Sequence, residues 1–323
     1  MDRNLALEAV RITETTALAA SRFMGRGDET AADMAAIEAM NKEVNSLYIN
    51  ATIVIGEGDA AQVPFLFDGA KAGIGKGPEI DIALDALEGA SITAKGGNNA
   101  VSVIAITEKG GFLAVPDIYM EKIAVGPGLP LGIVDLEASP EENLKNLAQI
   151  KRVPVSDLLV CILDRPRHEN LINEVREAGA RIMLIMDGDV SGVIATTRPN
   201  SGVDIYMGSG GAPEGILAAA GMACAHGQMQ TRLMFRSEDD RQKGRKLGIS
   251  KFNQKYNLDD MVKGDVMFAA TGVTDGALLK GVRHLNAVAV THSLVMRRRT
   301  GTVRLIESHH NYRLKYNRAE DTK

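Results

Sequence analysis

Tryptophan is absent from this sequence, and aromatic residues make up only 4% of its 323 positions. Because the apolar fraction is an ordinary 45% and methionine occurs 14 times, we expect a globular core built mainly from aliphatic side chains. Cysteine is nearly absent too, since only Cys161 and Cys224 occur, both in apolar surroundings. This scarcity excludes a disulfide framework and predicts buried free thiols in a reducing compartment.

The sequence also lacks an apolar run long enough to cross a bilayer. Its longest, Ile216 to Ala225, is far shorter than the roughly 20 residues that a spanning helix needs. The first residues show no basic stretch that leads into an apolar segment, so no signal peptide is expected and the predicted location is cytoplasmic. A formal net charge of −4 excludes a strongly basic surface. We therefore expect neither a membrane nor nucleic acid among the partners.

Apolar residues recur at helical spacing in the first part of the chain, and Gly25-Arg26-Gly27-Asp28 interrupts them. This pattern predicts two helices, the second over residues 29–43 with Asp33 in its early turns. A strand over residues 48–55 follows and ends abruptly in glycine-rich sequence around Glu57.

The segment Asp81 to Gly89 carries the most informative pattern in the chain. It reads as an apolar strand that presents Asp85 at its end, with Glu88 in the turn that follows. Residues 101–106 and 112–115 then predict a pair of strands joined around two glycines. Two carboxylates held together at the end of a strand are typical of a site for a hard divalent cation.

The composition of the sequence changes at residues 125–130, which are rich in glycine and proline. We expect a boundary there, between an N-terminal metal-binding α+β lobe, residues 1–126, and a C-terminal α/β substrate-binding lobe, residues 127–323. Strands then alternate with loops and helices, which predicts a parallel or mostly parallel sheet with ligand-binding residues at the carboxyl ends of its strands. The predicted strands cover residues 158–163, 181–186 and 203–207, and a hairpin over residues 288–307 closes the chain.

Five acids occupy places where structure alone gives little reason for an acid, namely Asp33, Glu57, Asp85, Glu88 and Glu214. Taken singly they have simple explanations, because Glu214 could merely favour a helix dipole and Glu88 could be an ordinary turn residue. Taken together they would repel one another unless cations held them. Two divalent ions a few ångströms apart can stabilise both oxygens of an in-line phosphoryl displacement. The acids therefore predict a metal site suited to phosphate chemistry.

Phosphate affinity is predicted for the residues that follow the later strands. Arg165 and Arg167 flank Pro166 on a short, stiff loop, and arginine matches phosphate oxygens with two parallel hydrogen bonds. Residues 208–211, a glycine-rich loop before a helix, predict free N–H groups for an anion. Asp187 and Asp189, on either side of Gly188, can accept sugar hydroxyls. The alternatives are a solvated arginine pair and, for Asp189, a plain helix cap.

Seven ordered blocks along nearly the whole chain resemble class II, GlpX-type, fructose-1,6-bisphosphatases. The blocks are Arg26-Gly27-Asp28 with Asp33, Ile55-Gly56-Glu57-Gly58, Asp85 with Glu88-Gly89, Pro116 to Lys122, Arg165-Pro166-Arg167-His168, Asp187-Gly188-Asp189, and Gly210-Gly211-Ala212-Pro213-Glu214-Gly215. The resemblance implies a layered α-β-α-β-α sugar-phosphatase fold with two lobes, shared with inositol monophosphatases. It also implies a Mn²⁺- or Mg²⁺-dependent phosphatase that removes the 1-phosphate of fructose 1,6-bisphosphate in gluconeogenesis. A homodimer or homotetramer is expected.

By position, the resemblance assigns Asp33 and Glu57 to one metal, and Asp85, Glu88 and Glu214 to the other. The implied substrate contacts are Glu88, Gly89, Ala90, Tyr119, Arg165, Pro166, Arg167, Asp187, Gly188, Asp189 and Gly211. The implied catalytic positions are Glu57, Asp59 and Ala90.

The chain departs from the family pattern at three places near the expected chemistry. Ala90 stands where the family has a threonine that orients or activates the attacking water, and a methyl group can do neither. Ala86 replaces a proline of the same motif, and Ala61-Gln62 replaces an acidic pair. The presumed metal ligands and phosphate-binding arginines remain. Ser91, one residue along, is a possible substitute for the missing hydroxyl.

These departures leave several functions open. The first is a sugar-bisphosphate phosphatase with reduced activity. The second is a catalytically disabled sugar-phosphate-binding protein. The third is a phosphatase with another substrate, either sedoheptulose 1,7-bisphosphate, alone or in a dual-specificity enzyme, or an inositol phosphate.

Overall fold

The computed structural model describes residues 4–311 of the chain. In these residues the helices are α1 Leu5–Ala20, α2 Glu29–Val44, α3 Ala90–Lys95, α4 Pro140–Lys151, α5 Glu169–Glu177, α6 Asp189–Ala195, α7 Ala212–Ala225, α8 Glu238–Lys246 and α9 Leu258–Met261. The strands are β1 Asn50–Ile55, β2 Lys71–Ala72, β3 Glu79–Glu88, β4 Val101–Glu108, β5 Tyr119–Val125, β6 Leu159–Leu163, β7 Arg181–Ile185, β8 Ile205–Gly211, β9 Gln228–Leu233, β10 Lys255–Asn257, β11 Val266–Gly272, β12 Arg283–Leu285, β13 Val288–Arg297 and β14 Thr302–Asn311.

The elements form five layers, which confirms the predicted α-β-α-β-α arrangement. The first sheet has the order β12-β13-β11-β4-β3-β1-β2, with β14 paired to β13, and the second has the order β10-β9-β5-β8-β6-β7. Helices α1 and α2 pack on the outer face of the first sheet, and α4 and α5 belong to the apolar cluster on the outer face of the second. Helices α6 and α7 lie between the sheets, within the largest buried cluster.

Helix α7 owes its central position to small side chains. It contacts β4 and β11 of the first sheet and β5, β8 and β9 of the second. Ala218, Ala219, Ala220 and Gly221 are all buried, and the helix is apolar on every side rather than amphipathic. Because these residues are small, both sheets approach the helix closely, and its first turn lies where strands of the two sheets end.

Several predicted elements are confirmed. The predicted helix over residues 29–43 is α2. Asp28 caps its N-terminus, and the Asp28 side chain accepts a hydrogen bond from Ala31 N–H at 2.9 Å. The two cysteines are buried free thiols, and burial raises the pKa of each to about 12. The C-terminal hairpin is formed by β13 and β14. No helix in the described part of the chain is long and apolar enough to span a bilayer.

The second sheet corrects the prediction of a mostly parallel sheet. Strands β7, β6 and β8 are parallel, as their alternation with helices indicates. However, β5 pairs antiparallel with both β8 and β9, and β9 pairs antiparallel with β10. The sheet is therefore mixed. The alternation of strands and helices predicts only the parallel strands β6, β7 and β8, and it does not predict the antiparallel strands β5, β9 and β10.

The predicted strand over residues 112–115 is also wrong. Phe112 makes only an isolated bridge to Val262, and β4 pairs instead with β3 and β11. The division into lobes at residue 126 stays a prediction, but the sheets divide the chain differently. The first sheet takes its strands from residues 50–108 and again from 266–311, with the whole second sheet inserted between them.

We expect Gly221→Leu to test the tight packing of α7. A Cβ atom on Gly221 would lie 2.6 Å from Ile194 Cδ1, so a larger side chain must displace α6. Overpacking of this kind costs about 1–3 kcal/mol, which urea denaturation would measure. Glu38→Leu, at an exposed position of α2, is the control and should change the free energy of unfolding by less than about 0.5 kcal/mol. Equal midpoints for the two variants would contradict the proposed packing.

Candidate active site

A bulge in β3 brings two of the predicted acids to one face of the first sheet. In the ladder with β4, Asp85 pairs with Val103 and Glu88 pairs with Val101, so three steps along β3 match two along β4. In a regular strand, residues three apart point to opposite faces, and the extra residue cancels this alternation. Val101 and Val103 both face the layer that contains α7. The strand therefore continues through Glu88 and does not end at the predicted turn, and both carboxylates face the second sheet.

The ends of several elements meet at a cleft of about 290 Å³. The end of β3, the first residue of β5, the loops after β6 and β7, the end of β8 and the start of α7 contribute to it. Its lining residues are Asp85, Leu87, Glu88, Gly89, Tyr119, Leu163, Arg165, Arg167, Asp187, Asp189, Gly210, Gly211 and Glu214. A cavity of about 160 Å³ adjoins it through Asp85 and Glu214 and adds Glu57, Asp68 and Asp117.

Backbone N–H groups fix three of the carboxylates in place. Ala86 N–H donates to Glu57 Oε1 at 2.7 Å, and Leu87 N–H donates to Asp85 Oδ1 at 3.0 Å. Val190 N–H, in the first turn of α6, donates to Glu88 Oε1 at 2.7 Å. Glu57 therefore reaches from the loop after β1 to β3, while Glu88 reaches from the first sheet to α6 beside the second.

Burial and mutual repulsion raise the pKa values of these acids. Burial is the larger cause for Glu57, whose pKa rises to about 8, and Asp33 and Glu214 raise it further. Burial, followed by the charges of Glu57 and Glu214, holds the pKa of Asp85 well above its usual range. Burial and the nearby Asp189 do the same for Glu88. Without cations, these carboxyl groups therefore favour protonation.

The donor set fits divalent cations. Glu88 Oε2 and Glu214 Oε2 are buried and have no hydrogen-bond partner among the described residues. An unpartnered buried carboxylate oxygen is costly unless a proton or a cation binds it. Oxygen donors in this number suit Mg²⁺ or Mn²⁺ rather than a softer metal. Within residues 4–311, however, no three potential ligands are arranged closely enough to enclose an ion as they stand.

A buried lysine, which the sequence patterns did not single out, neutralises part of this charge. Lys122 Nζ forms an ion pair with Asp189 Oδ2, and both side chains are almost fully buried. Lys122 lies in β5 between the buried residues Met120 and Ala124, so it shares their inward face. The sequence signal that could have identified Lys122 is its place between two apolar residues that share its face of the strand.

Residues 208–211 form the end of β8 rather than the predicted loop. Close contacts require glycine at two of these positions. A Cβ on Gly210 would lie 2.0 Å from Asp189 Oδ2, and a Cβ on Gly211 would lie 1.9 Å from Glu214 Oε2. The backbone of β8 therefore lies directly against two carboxylates of the cleft.

The arginine loop lies on the other side of the cleft. Arg167 donates to Ser209 O from Nη2 at 2.8 Å and from Nε at 3.2 Å. Its guanidinium carbon lies 4.8 Å from the centre of the Tyr119 ring, within range of a cation–π interaction. Arg165 Nη2 lies 3.9 Å from Asp187 Oδ1. The cleft therefore has an anionic side at β3 and α7 and a cationic side at the loop after β6.

His168 fixes this loop to β8. Ser209 N–H donates to His168 Nε2 at 2.8 Å, and His168 Nδ1 lies 2.8 Å from Leu163 O. Because Nε2 accepts a hydrogen bond, the proton must be on Nδ1, which donates to the carbonyl. Burial, followed by the charge of Arg167, lowers the pKa of His168 and favours this neutral form.

Most predicted site residues line the two adjoining cavities, namely Glu57, Asp85, Glu88, Gly89, Tyr119, Arg165, Arg167, Asp187, Asp189, Gly211 and Glu214. Asp33, on α2, raises the pKa values of Glu57 and Asp85. Pro166 is exposed between its arginines, and Gly188 precedes α6 with a left-handed φ of 84°. Ala90 is the first residue of α3, directly after Gly89.

Asp59 is not brought to the cleft. It is exposed, and its Oδ1 accepts a hydrogen bond from Ala61 N–H at 2.8 Å. Asp68 takes the place beside Glu57 instead and accepts a hydrogen bond from Gly56 N–H at 2.7 Å. No local pattern singles out Asp68, because it lies in a loop that folds back on the end of β1.

The family model for bacterial, glpX-encoded fructose-1,6-bisphosphatases matches residues 3–310 of the chain. Fructose-1,6-bisphosphatase 1 class 2 of Escherichia coli strain K12 is 42% identical over 323 aligned residues, which cover 96% of each protein. The class 2 fructose-1,6-bisphosphatase of Shigella flexneri matches to the same extent. Among solved structures, an extragenic suppressor from Pyrococcus furiosus aligns with 58% of this chain and 68% of its own at 12% identity. Its TM-score is 0.31.

We expect Lys122→Met to lower the free energy of unfolding by about 3–5 kcal/mol, because it leaves Asp189 buried without its counter-ion. Urea denaturation would measure the change. The matched control is Lys145→Met, which removes an exposed ammonium 2.6 Å from Glu141 and should cost less than about 1 kcal/mol. A Lys122 variant as stable as this control would show that the pair with Asp189 does not stabilise the fold.

Proposed function

The chain belongs to the GlpX-type bacterial fructose-1,6-bisphosphatase family and is a phosphoric monoester hydrolase. From this premise we propose that it hydrolyses the 1-phosphate of fructose 1,6-bisphosphate, giving fructose 6-phosphate and phosphate in gluconeogenesis. The observation that carries the proposal is the polarity of the cleft. Buried carboxylates with two unpartnered oxygens face a pair of arginines across one cavity, as a substrate with a phosphate at each end requires.

The family is one of metal-dependent phosphatases, and we propose Mn²⁺ or Mg²⁺ as the metal. Asp33, Glu57, Asp85, Glu88 and Glu214 would hold the ions. Such ions neutralise the transferred phosphoryl group and lower the pKa of water. The N–H groups of Ala86 and Leu87 already orient Glu57 and Asp85, and the acids must still move closer together before they can enclose an ion.

The remaining residues bind and orient the sugar bisphosphate. Arg165 and Arg167 supply planar donors for phosphate oxygens, and Ser209 holds Arg167 in place. Asp187 and Asp189 accept hydrogen bonds from sugar hydroxyls, and the ion pair with Lys122 fixes Asp189 in place. Glu88, Gly89 and Ala90 would adjoin the phosphate that is removed. Tyr119 and Gly211 line the cleft, and Pro166 and Gly188 lie in the loops that carry the arginines and the aspartates.

A threonine hydroxyl at position 90 would orient the attacking water, so we propose that Ala90 reduces turnover more than binding. We propose a homodimer or homotetramer in the cytoplasm. Sedoheptulose 1,7-bisphosphate is the second candidate substrate, because the same two-ended charge arrangement suits any sugar bisphosphate.

Phosphate release from fructose 1,6-bisphosphate tests the proposed function. We expect release with Mn²⁺ or Mg²⁺ and none after chelation, with sedoheptulose 1,7-bisphosphate and inositol 1-phosphate assayed in parallel. Calorimetry with fructose 1,6-bisphosphate separates a binding protein from an enzyme. If the protein neither binds nor hydrolyses any sugar bisphosphate, the proposal fails.

We expect Ala90→Thr to raise kcat by about 10²–10⁴-fold with little change in KM, because a positioned group that handles the proton of the attacking water contributes on this order. Ser91→Ala is the matched comparison on the same helix turn. If Ser91 already substitutes for the missing hydroxyl, Ser91→Ala loses the remaining activity. An Ala90→Thr variant with unchanged kcat would count against Ala90 as the cause of slow turnover and point to Ala61 and Gln62.

The raised pKa of Glu57 predicts how metal and pH affect stability. Because its folded pKa of about 8 exceeds the usual value of 4.5, the folded state binds the proton more tightly, so metal-free protein loses stability as pH rises between these values. Bound metal replaces the proton, and a ligand at 100 times its Kd stabilises by about 2.7 kcal/mol. We therefore expect Mn²⁺ to raise the melting temperature more at pH 8.5 than at pH 5.5.

Glu57→Gln should weaken both the pH slope and the effect of Mn²⁺, whereas Glu79→Gln, at an exposed position of β3, should change neither. A melting temperature that does not respond to metal at either pH would contradict the assignment of these acids as metal ligands.

A further inference from the structure

Tyr119, at the cationic side of the cleft, contacts a second arginine that does not belong to the loop after β6. The guanidinium carbon of Arg236 lies 4.8 Å from the centre of the Tyr119 ring, the same distance as that of Arg167. The two guanidinium groups therefore lie at most twice this distance apart, beside one exposed aromatic side chain that lines the cleft. Two positive charges held beside one ring repel each other unless an anion lies near both.

Hydrogen bonds fix the backbone of Arg236 in the short connection between β9 and α8. Its N–H group donates to Asp240 Oδ2 at 2.8 Å, and the same carboxylate caps α8 by accepting from Ser237 N–H at 2.9 Å. Met234, two residues earlier, donates its N–H to Tyr119 O at 2.8 Å. The segment that carries Arg236 is thus tied both to α8 and to the strand that carries Tyr119.

The guanidinium of Arg236 has no acidic partner among the described residues. Besides the ring, it contacts Met234 Sδ, at 4.0 Å. Neighbouring arginines differ in this respect, because Arg232 pairs with Glu137, and both Arg241 and Arg245 pair with Glu238. Arg236 is therefore an exposed cation, held beside the cleft by its ring contact, with its hydrogen-bond donors available.

From this arrangement we infer that Arg236 binds the phosphate of the sugar bisphosphate that is not removed, together with Arg167, and so sets the preference for bisphosphates. This inference rests on the proposed function. The phosphate that is removed must lie at the carboxylates, where the cations bind. The other phosphate then lies at the arginines, where one dianion relieves the repulsion between the two guanidinium groups and accepts hydrogen bonds from both.

A purely structural role would have different consequences. If Arg236 only covered the Tyr119 ring, its removal would affect stability slightly and all ligands equally. As a phosphate ligand it affects only ligands that carry the retained phosphate. Fructose 6-phosphate carries that phosphate alone, and inorganic phosphate occupies the other end of the cleft, so the two products distinguish these roles.

The test compares Arg236→Gln and Arg236→Lys with Arg241→Gln, which removes an exposed arginine of α8 that pairs with Glu238. For Arg236→Gln we expect KM for fructose 1,6-bisphosphate and Kd for fructose 6-phosphate to rise by about 10–100-fold, as for loss of a charge-assisted hydrogen bond. We expect kcat to change less than about threefold and Kd for inorganic phosphate to stay the same. Arg236→Lys keeps the charge without the planar donor pair and should recover part of the affinity.

Titration calorimetry in Mn²⁺ gives the two Kd values without depending on turnover. If Arg236→Gln matches Arg241→Gln in KM and in both Kd values while the wild-type protein hydrolyses the bisphosphate, the inference is overturned and the proposed function stands. Equal weakening of fructose 6-phosphate and inorganic phosphate also overturns it, because it indicates a general change of the cleft. If the wild-type protein binds no sugar phosphate, the proposed function fails and the inference fails with it.

Discussion

Repulsion among buried carboxylates is the constraint on which the rest of this structure depends. Glu57, Asp85, Glu88 and Glu214 lie in a space between two sheets where burial already disfavours charge, and Glu57, Asp85 and Glu214 each raise the pKa of one or more of the others. Lys122 offsets only part of this charge, through its ion pair with Asp189 and by lowering the pKa of Glu214. Backbone N–H groups hold Glu57, Asp85 and Glu88 in place, so the repulsion is not relieved by turning these side chains away. Only protons or cations can relieve it, and this makes the site selective for cations at neutral and higher pH.

The layered fold supplies the rigidity that such a site needs. Helix α7 is narrow because of its alanines and glycines, so the two sheets approach closely and the end of β3 meets the end of β8. The absence of side chains on Gly210 and Gly211 then leaves room for Asp189 and Glu214 directly beside the strand. A large apolar cluster on both sides of α7 stabilises the fold and offsets the cost of gathering like charges.

The sequence predicted the chemistry of the site better than its geometry. Asp85 and Arg165 stand out because they interrupt apolar patterns, and a local pattern is enough to detect that. The common face of Asp85 and Glu88 depends on one extra residue in β3, which alternation alone does not reveal. Pairing of β4 with β11 joins residues more than 150 positions apart, so no local pattern predicts it. Lys122 and Arg236 were missed because lysine in a strand and arginine before a helix are usually solvated, and only the neighbours that the fold supplies give them a role.

On the proposed function, binding and turnover are set by different parts of the fold. Among the described residues, none of the hydrogen bonds that hold the carboxylates or Arg167 involves position 90. Helix α3, which begins at Ala90, is fixed instead by Gly25 N–H to Thr93 O at 2.9 Å and Gly27 N–H to Ala94 O at 2.8 Å. We therefore expect a change at position 90 to leave the proposed cation ligands and phosphate-binding arginines in place. On the proposed function, a chain with alanine there keeps the means to bind its substrate, and the rate of hydrolysis is the quantity that we expect the substitution to control.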